Sequence, residues 1–146
     1  RLRCPWESTA LSVPATWAGQ LRRLSEGEVQ LSLAPDAILS MQAGRGPPPP
    51  ALEAWLALQA QLTPLAAEAS VRMRGSAGAS SDWSLEYSLG ADGGEGSYRA
   101  AQHTERRLGA YCRVTAIERA DWDRAGEPAA HSLVGLVGAL GAPSPR

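Results

Sequence analysis

Residues 45–74 constrain the fold more than any other stretch of this 146-residue chain. Four consecutive prolines, Pro47 to Pro50, supply no backbone donors and hold the chain in an extended approach. The clearest helical pattern in the sequence follows directly. From Ala51 onwards, Leu52, Trp55, Leu56 and Leu62 share one stripe, interrupted by Gln59. Pro64 removes a helix donor and disfavours helix at Thr63, so the helix is expected to end there. Ala69, Val71 and Met73 then alternate with Ser70, Arg72 and Arg74, the pattern of a half-buried strand. Connector, helix and strand form a unit around which the other elements are expected to assemble.

Upstream, Leu2, Cys4 and Trp6 recur at period two, followed by Leu11 and Val13, which predicts one strand or two short ones. Pro14 suits a first helical turn, and Trp17, Leu21 and Leu24 follow at helical spacing. Gly27 fits the left-handed position just past that helix. Val29, Leu31 and Leu33 alternate with Gln30 and Ser32 in a strand. Ile38, Leu39 and Met41 are read as one helical turn.

Downstream, residues 82–89 give the strongest strand pattern, with Trp83, Leu85, Tyr87 and Leu89 on the apolar side. A hairpin between this strand and its predecessor would set Arg72 or Arg74 against Glu86. The four glycines between Gly90 and Gly96 read as a loop. Ser97 then caps an expected helix with Tyr98, Ala101, Glu105 and Leu108 at helical spacing, stopped by Gly109. Residues 111–117 read as a strand with Cys112, Val114 and Ala116 inward. A last helix carries Leu133, Leu136, Val137 and Leu140 on one stripe, weakened by Gly135 and Gly138.

From residue 28 to 118 the predicted order is strand, helix, strand, strand, helix, strand. That is the ferredoxin-like βαββαβ arrangement, an α+β fold with an antiparallel sheet and both helices on one face. An N-terminal strand and helix and a C-terminal helix would be additions to it. The expectation is a single domain over residues 1–146, with its core at about 28–118 and a tail from 141 to 146.

Composition excludes some functions. The net charge of -1 supplies no broad attraction to nucleic acid or an acidic membrane. All 14 basic residues are Arg, while Lys, Asn and Phe are absent. Codon bias in a GC-rich genome explains that pattern, and selection of Arg for bidentate anion binding is the alternative. Arg22-Arg23, Arg72/Arg74 and Arg106-Arg107 form no continuous basic run, so nucleic-acid binding is not expected. No run reaches the ~20 apolar residues of a spanning helix.

Candidate sites are few. Cys4 and Cys112 lie far apart without a further Cys/His cluster, which leaves a disulfide or two buried thiols. A disulfide would place the chain in an oxidising compartment, periplasmic or extracellular; two thiols would fit the cytoplasm. Nucleophilic chemistry would draw on Cys112 with His103 or His131 and Glu105 as orienting group, in a pocket near His103, Tyr111 and Cys112. Asp121-x-Asp123-x-x-Gly126 begins like a calcium loop but has Ala125 at the fifth position and Ser132 at the twelfth. Gly90 to Gly96 lacks the Lys and Ser/Thr of a phosphate loop. Neither catalytic residues nor a metal or other cofactor are therefore assigned. Trp55 is either a core anchor or, with Arg72 and Arg74, part of a protein interface.

The strand Glu28 to Leu33, the Trp55-Leu56 helix and the strand segment Trp83 to Tyr87 resemble the periplasmic domains of type II secretion protein M and the type IV pilus protein O family. Residues 11–17 are similar to secretion protein N. The likeness implies a small ferredoxin-like domain that pairs with protein partners in an envelope assembly. The proline run, the two cysteines and the C-terminal extension depart from it. The expected function is thus a non-enzymatic protein–protein interaction domain, a structural component of an envelope or secretion assembly, with self-association among the options. A cytoplasmic adaptor or chaperone-like subunit and a small ligand-binding domain or enzyme are the alternatives.

Overall fold

Antiparallel pairing from Leu21 to Arg119 builds one seven-stranded sheet. The computed structural model describes residues 2–3, 10–11, 20–33, 37–62, 71–74, 82–89, 96–120 and 133–140. Its sheet strands are β3 (Leu21–Ser25), β4 (Glu28–Leu33), β5 (Ala37–Arg45), β6 (Val71–Arg74), β7 (Asp82–Leu89), β8 (Gly96–Arg107) and β9 (Ala110–Arg119). Two short strands, β1 (Leu2–Arg3) and β2 (Ala10–Leu11), form a separate two-stranded ribbon. The helices are α1 (Ala51–Leu62) and α2 (Leu133–Leu140).

The sheet consists of two meanders. Strands β3 to β5 fold back and forth, α1 carries the chain across the sheet, and β6 to β9 return until β9 pairs with β5. Strands β5 and β6 therefore run in the same direction with three strands between them, and the helical crossover is what makes that connection possible.

Each face has its own core. On one face Leu31, Leu39, Met41, Cys112, Val114 and Ala116 pack against Leu133 and Val137 of α2. On the other, Ile38, Leu85, Tyr98, Ala100 and Ile117 pack against Trp55, Leu58 and Leu62 of α1. The central strands are covered on both sides, so Cys112 to Glu118 are all buried although they alternate between faces.

This is not the ferredoxin-like α+β fold expected from the sequence. The sheet has seven strands in the core instead of four, and the two helices lie against opposite faces. Three segments account for the difference. Residues 96–107, expected as a helix, form β8: Tyr98, Ala100, Gln102 and Thr104 alternate with Ala101, His103 and Glu105, and small or polar residues under both helices carry no period-two hydrophobic signal. Residues 37–45, read in part as a helical turn, form the nine-residue β5. Residues 21–25, expected at the end of a helix, form β3. The residues before Gln20 that belonged to that expected helix lie outside the described residues.

The pairing of β6 with β7 matches the expected hairpin, with Arg74 opposite Glu86 and Arg72 opposite Ser88. Two glycines read as helix stops instead turn hairpins. Gly27 joins β3 to β4, and an added Cβ there would sit 2.5 Å from the Ala43 carbonyl oxygen. Gly109 (φ 77°) joins β8 to β9.

Candidate functional site

The helix α1 is held on the sheet by polar groups at its start and aromatic rings further along. The Arg113 guanidinium donates to the Pro49 carbonyl oxygen at 2.6 Å and to Thr104 Oγ1 at 3.1 Å. Gln102 Nε2 donates to the Ala51 carbonyl oxygen at 3.3 Å and to Thr115 Oγ1 at 3.1 Å. The proline run thus enters the helix against a polar row of β8 and β9. Burial pulls the Arg113 pKa below its ordinary value, and the charge of Arg106 acts in the same direction. Both acceptors of Arg113 are neutral, so its charge is met by dipoles.

Beside this row, Glu28 Oε2 accepts from Ser40 Oγ at 2.8 Å, Gln42 Nε2 at 3.2 Å and Gln30 Nε2 at 3.4 Å. These groups come together through register: Glu28 stands opposite Gln42, Gln42 opposite Arg113, and Arg113 opposite Thr104. Much of the carboxylate's capacity is used inside the sheet, which fits a structural role better than proton transfer.

Further along α1 an aromatic stack forms. Trp55 meets Tyr87 edge-on at 5.0 Å, Tyr87 stacks on Tyr98 at 5.7 Å, and the Arg119 guanidinium lies 5.8 Å from the Tyr98 ring centre. The Tyr87 hydroxyl donates to Gln59 Oε1, which explains why a glutamine interrupts the apolar stripe. Burial raises the Tyr87 pKa well above that of a free phenol.

The stripe facing the sheet is therefore Trp55, Leu58, Gln59 and Leu62. Leu52 and Leu56, expected beside Trp55 in the core, are 46% and 42% exposed. They stand one turn apart on the outer side, followed by the exposed Ala60. Trp55 has no exposed surface, so among the expected interface residues it takes the core position. Arg72 and Arg74 sit at the opposite edge, on β6.

The residues considered for a pocket are separated by the sheet. Cys112 is 1% exposed on the α2 face, and His103, opposite Val114, shares that face and contacts Glu105 Oε1 at 3.2 Å. Tyr111 neighbours Arg113 along β9, so successive residues place it opposite Cys112 on the α1 face, where its ring covers Gly44. Cys112 is not a free thiol. Cys4, His131 and the segment Asp121 to Ser132 lie outside the described residues. Among the described residues no cluster of His, Cys, Asp and Glu could hold a metal ion. No described helix is long and apolar enough to cross a membrane.

What the arrangement offers at its surface is a helix with an outward pair of leucines and an edge strand, β3, with exposed Arg22 and Arg23. Sequence periodicity missed the leucine pair because Ala51, Ala54 and Ala57 blur the boundary of the stripe. The buried Gln59 was the available signal: a glutamine in an apolar stripe implies a polar partner beneath it. No protein-family model and no curated protein matches the chain.

Proposed function

We propose that this chain is a non-enzymatic protein-interaction domain, docking through the outer side of α1 within an extracytoplasmic assembly. The observation that carries this reading is the exposure of Leu52 and Leu56 one turn apart on a helix whose inner side is already filled by Trp55, Leu58 and Leu62. A single exposed leucine is ordinary. Two in helical register, beside exposed Ala57 and Ala60, form an apolar ridge on a scaffold fixed by Arg113 and Gln102 from below. A rigid helix presents such a ridge at little ordering cost, the usual basis for docking onto a partner's apolar groove.

The extracytoplasmic part of the reading draws support from Cys112, which is not a free thiol in a chain with two cysteines. It does not draw on the secretion-protein resemblance, whose implied fold is not the fold of this chain.

The test is differential capture. Wild type and Leu52→Glu/Leu56→Glu, matched for thermal stability, are immobilised and exposed to envelope and cytosolic extracts separately. Retention of a stoichiometric partner from the envelope extract by wild type, lost in the double variant, is the expected result. Identical retention by both proteins, or a partner found only in cytosol, overturns it.

A further inference from the structure

The strand β3 carries a second surface that the helix ridge does not explain. Among the described residues it is an edge of the sheet, hydrogen-bonded on one side to β4. Four of its five residues, Arg22, Arg23, Leu24 and Ser25, are exposed in succession. Side chains alternate across a strand, so exposure at successive positions means that β3 projects past both helices. Register fixes the sides: Leu21 stands opposite Leu31, Arg22 opposite Gln30 and Arg23 opposite Val29. Leu31 and Val29 belong to the α2 face, so Arg23 lies on that side and Arg22 on the α1 side.

Neither arginine shares an ion pair with a described carboxylate. Glu28, on the neighbouring strand β4 and on the same face as Arg22, accepts from Ser40, Gln42 and Gln30 instead. Among the described residues, the open edge therefore combines backbone groups that no strand pairs with one guanidinium above and one below the sheet. A second copy of β3 is a poor occupant, because an antiparallel pairing would bring like charges together.

We infer that β3 accepts an extended acidic segment of a protein partner as an additional strand, with carboxylates at two successive positions beside Arg22 and Arg23. Backbone pairing would supply affinity, and the two arginines would select for acids on both faces of the incoming strand. The bulge at Leu24 breaks the β3–β4 register before Ser25 pairs with Glu28, and it would leave Leu24, 51% exposed, beside an apolar residue following the two acids. This rests on the reading of the chain as an interaction domain but uses a different surface.

The experiment uses fluorescence anisotropy with the intact, oxidised chain and three labelled peptides. One has a Glu-Asp-Val centre flanked by threonine and valine, the second replaces both acids by lysine, and the third keeps the acids but has proline on either side of them. Binding of the first peptide, weakened about tenfold or more in each of the others, is expected. Arg22→Glu/Arg23→Glu should reverse the preference between the first two peptides with unchanged circular dichroism. Leu52→Glu/Leu56→Glu should leave the first peptide's binding unchanged, so that failure of the helix ridge and failure of this edge are told apart. Equal binding of the proline peptide would show charge attraction without strand addition and overturn the inference. So would stronger binding of anionic vesicles or of single-stranded RNA than of the first peptide, or no peptide binding at all.

Discussion

Glu118 Oε1, near the end of strand β9, accepts the backbone N–H of Val134 at 3.0 Å. The same oxygen accepts from Arg99 Nε at 3.2 Å. One fully buried carboxylate thus holds a neighbouring strand and the first turn of α2, where the helix N-terminus favours negative charge. The helix has only eight residues and includes Gly135 and Gly138, so it depends on docking for its existence.

Replacing Glu118 should accordingly release α2 before the sheet. Glu118→Ala leaves the Arg99 guanidinium without this partner inside the protein, at a cost of about 3 to 5 kcal/mol. Glu118→Gln keeps an acceptor for Val134 and should cost about 1 to 3 kcal/mol. Urea unfolding gives the energies, and hydrogen exchange over residues 133–140 gives the order of events. Protection lost uniformly over sheet and helix would refute a specific docking role.

Tyr87 and Gln59 form a buried polar pair between β7 and α1. Tyr87→Phe strands Gln59 Oε1 and should cost about 1 to 3 kcal/mol, while the double variant Tyr87→Phe/Gln59→Met should recover most of that loss. The pH dependence has a defined sign. A phenol whose pKa is raised by burial folds most favourably when neutral, so its contribution is complete below the pKa of an unfolded tyrosine, about 10, and is lost as the pH climbs above it. Melting temperatures between pH 8 and 11 should fall less steeply for Tyr87→Phe than for wild type. Parallel curves would place the alkaline sensitivity elsewhere.

How much of this was legible in the sequence depended on how many faces each element exposes to water. Strand β7 and helix α1 were legible in extent because each has a wet side that completes a period: Ser84 and Glu86 for the strand, Glu53 and Gln61 for the helix. Strand β8 was not, because both sides are covered and Ala100, Ala101, Gln102 and His103 carry no alternation. Tyr98, Ala101 and Glu105 fell at helical spacing by coincidence, and Gly109 then looked like a helix stop. Gly109, read as a helix stop, turns a hairpin instead, since both places call for a left-handed residue, whereas Gly27 has no left-handed φ and is required by the close approach of the Ala43 carbonyl. The exposed ridge of α1 was hidden for a related reason: Leu52 and Leu56 lie next to the true stripe, and only Tyr87 beneath Gln59 decides which way the helix is turned.

The buried position of Cys112 gives the proposed link to Cys4 a measurable consequence. A bridge closing so long a loop would add about 4 to 5 kcal/mol in the chain-entropy model. Intact mass of the alkylated native chain should show no added label, and two labels should appear after reduction under denaturing conditions. Reduction should also lower the urea midpoint, and Cys4→Ser alone should reproduce that shift. Labelling of Cys4 without a reductant would exclude the bridge.

Leu108 sits with Gly109 at the two-residue turn between β8 and β9, and both have positive φ, 51° and 77°. A turn with both central residues in the left-handed region matches the right-handed twist of the flanking strands, and asparagine followed by glycine is its favoured pair. Leucine has no local hydrogen bond to offset the left-handed conformation, which costs about 1 to 2 kcal/mol for an ordinary residue. Its side chain recovers nothing by packing, being 98% exposed. Leu108→Asn should therefore stabilise the chain, by about 0.5 to 1 kcal/mol on the scale of such backbone effects, with the slope of urea unfolding unchanged. A loss of stability instead would mean that the Leu108 side chain makes contacts in solution that its exposed position on the hairpin does not provide.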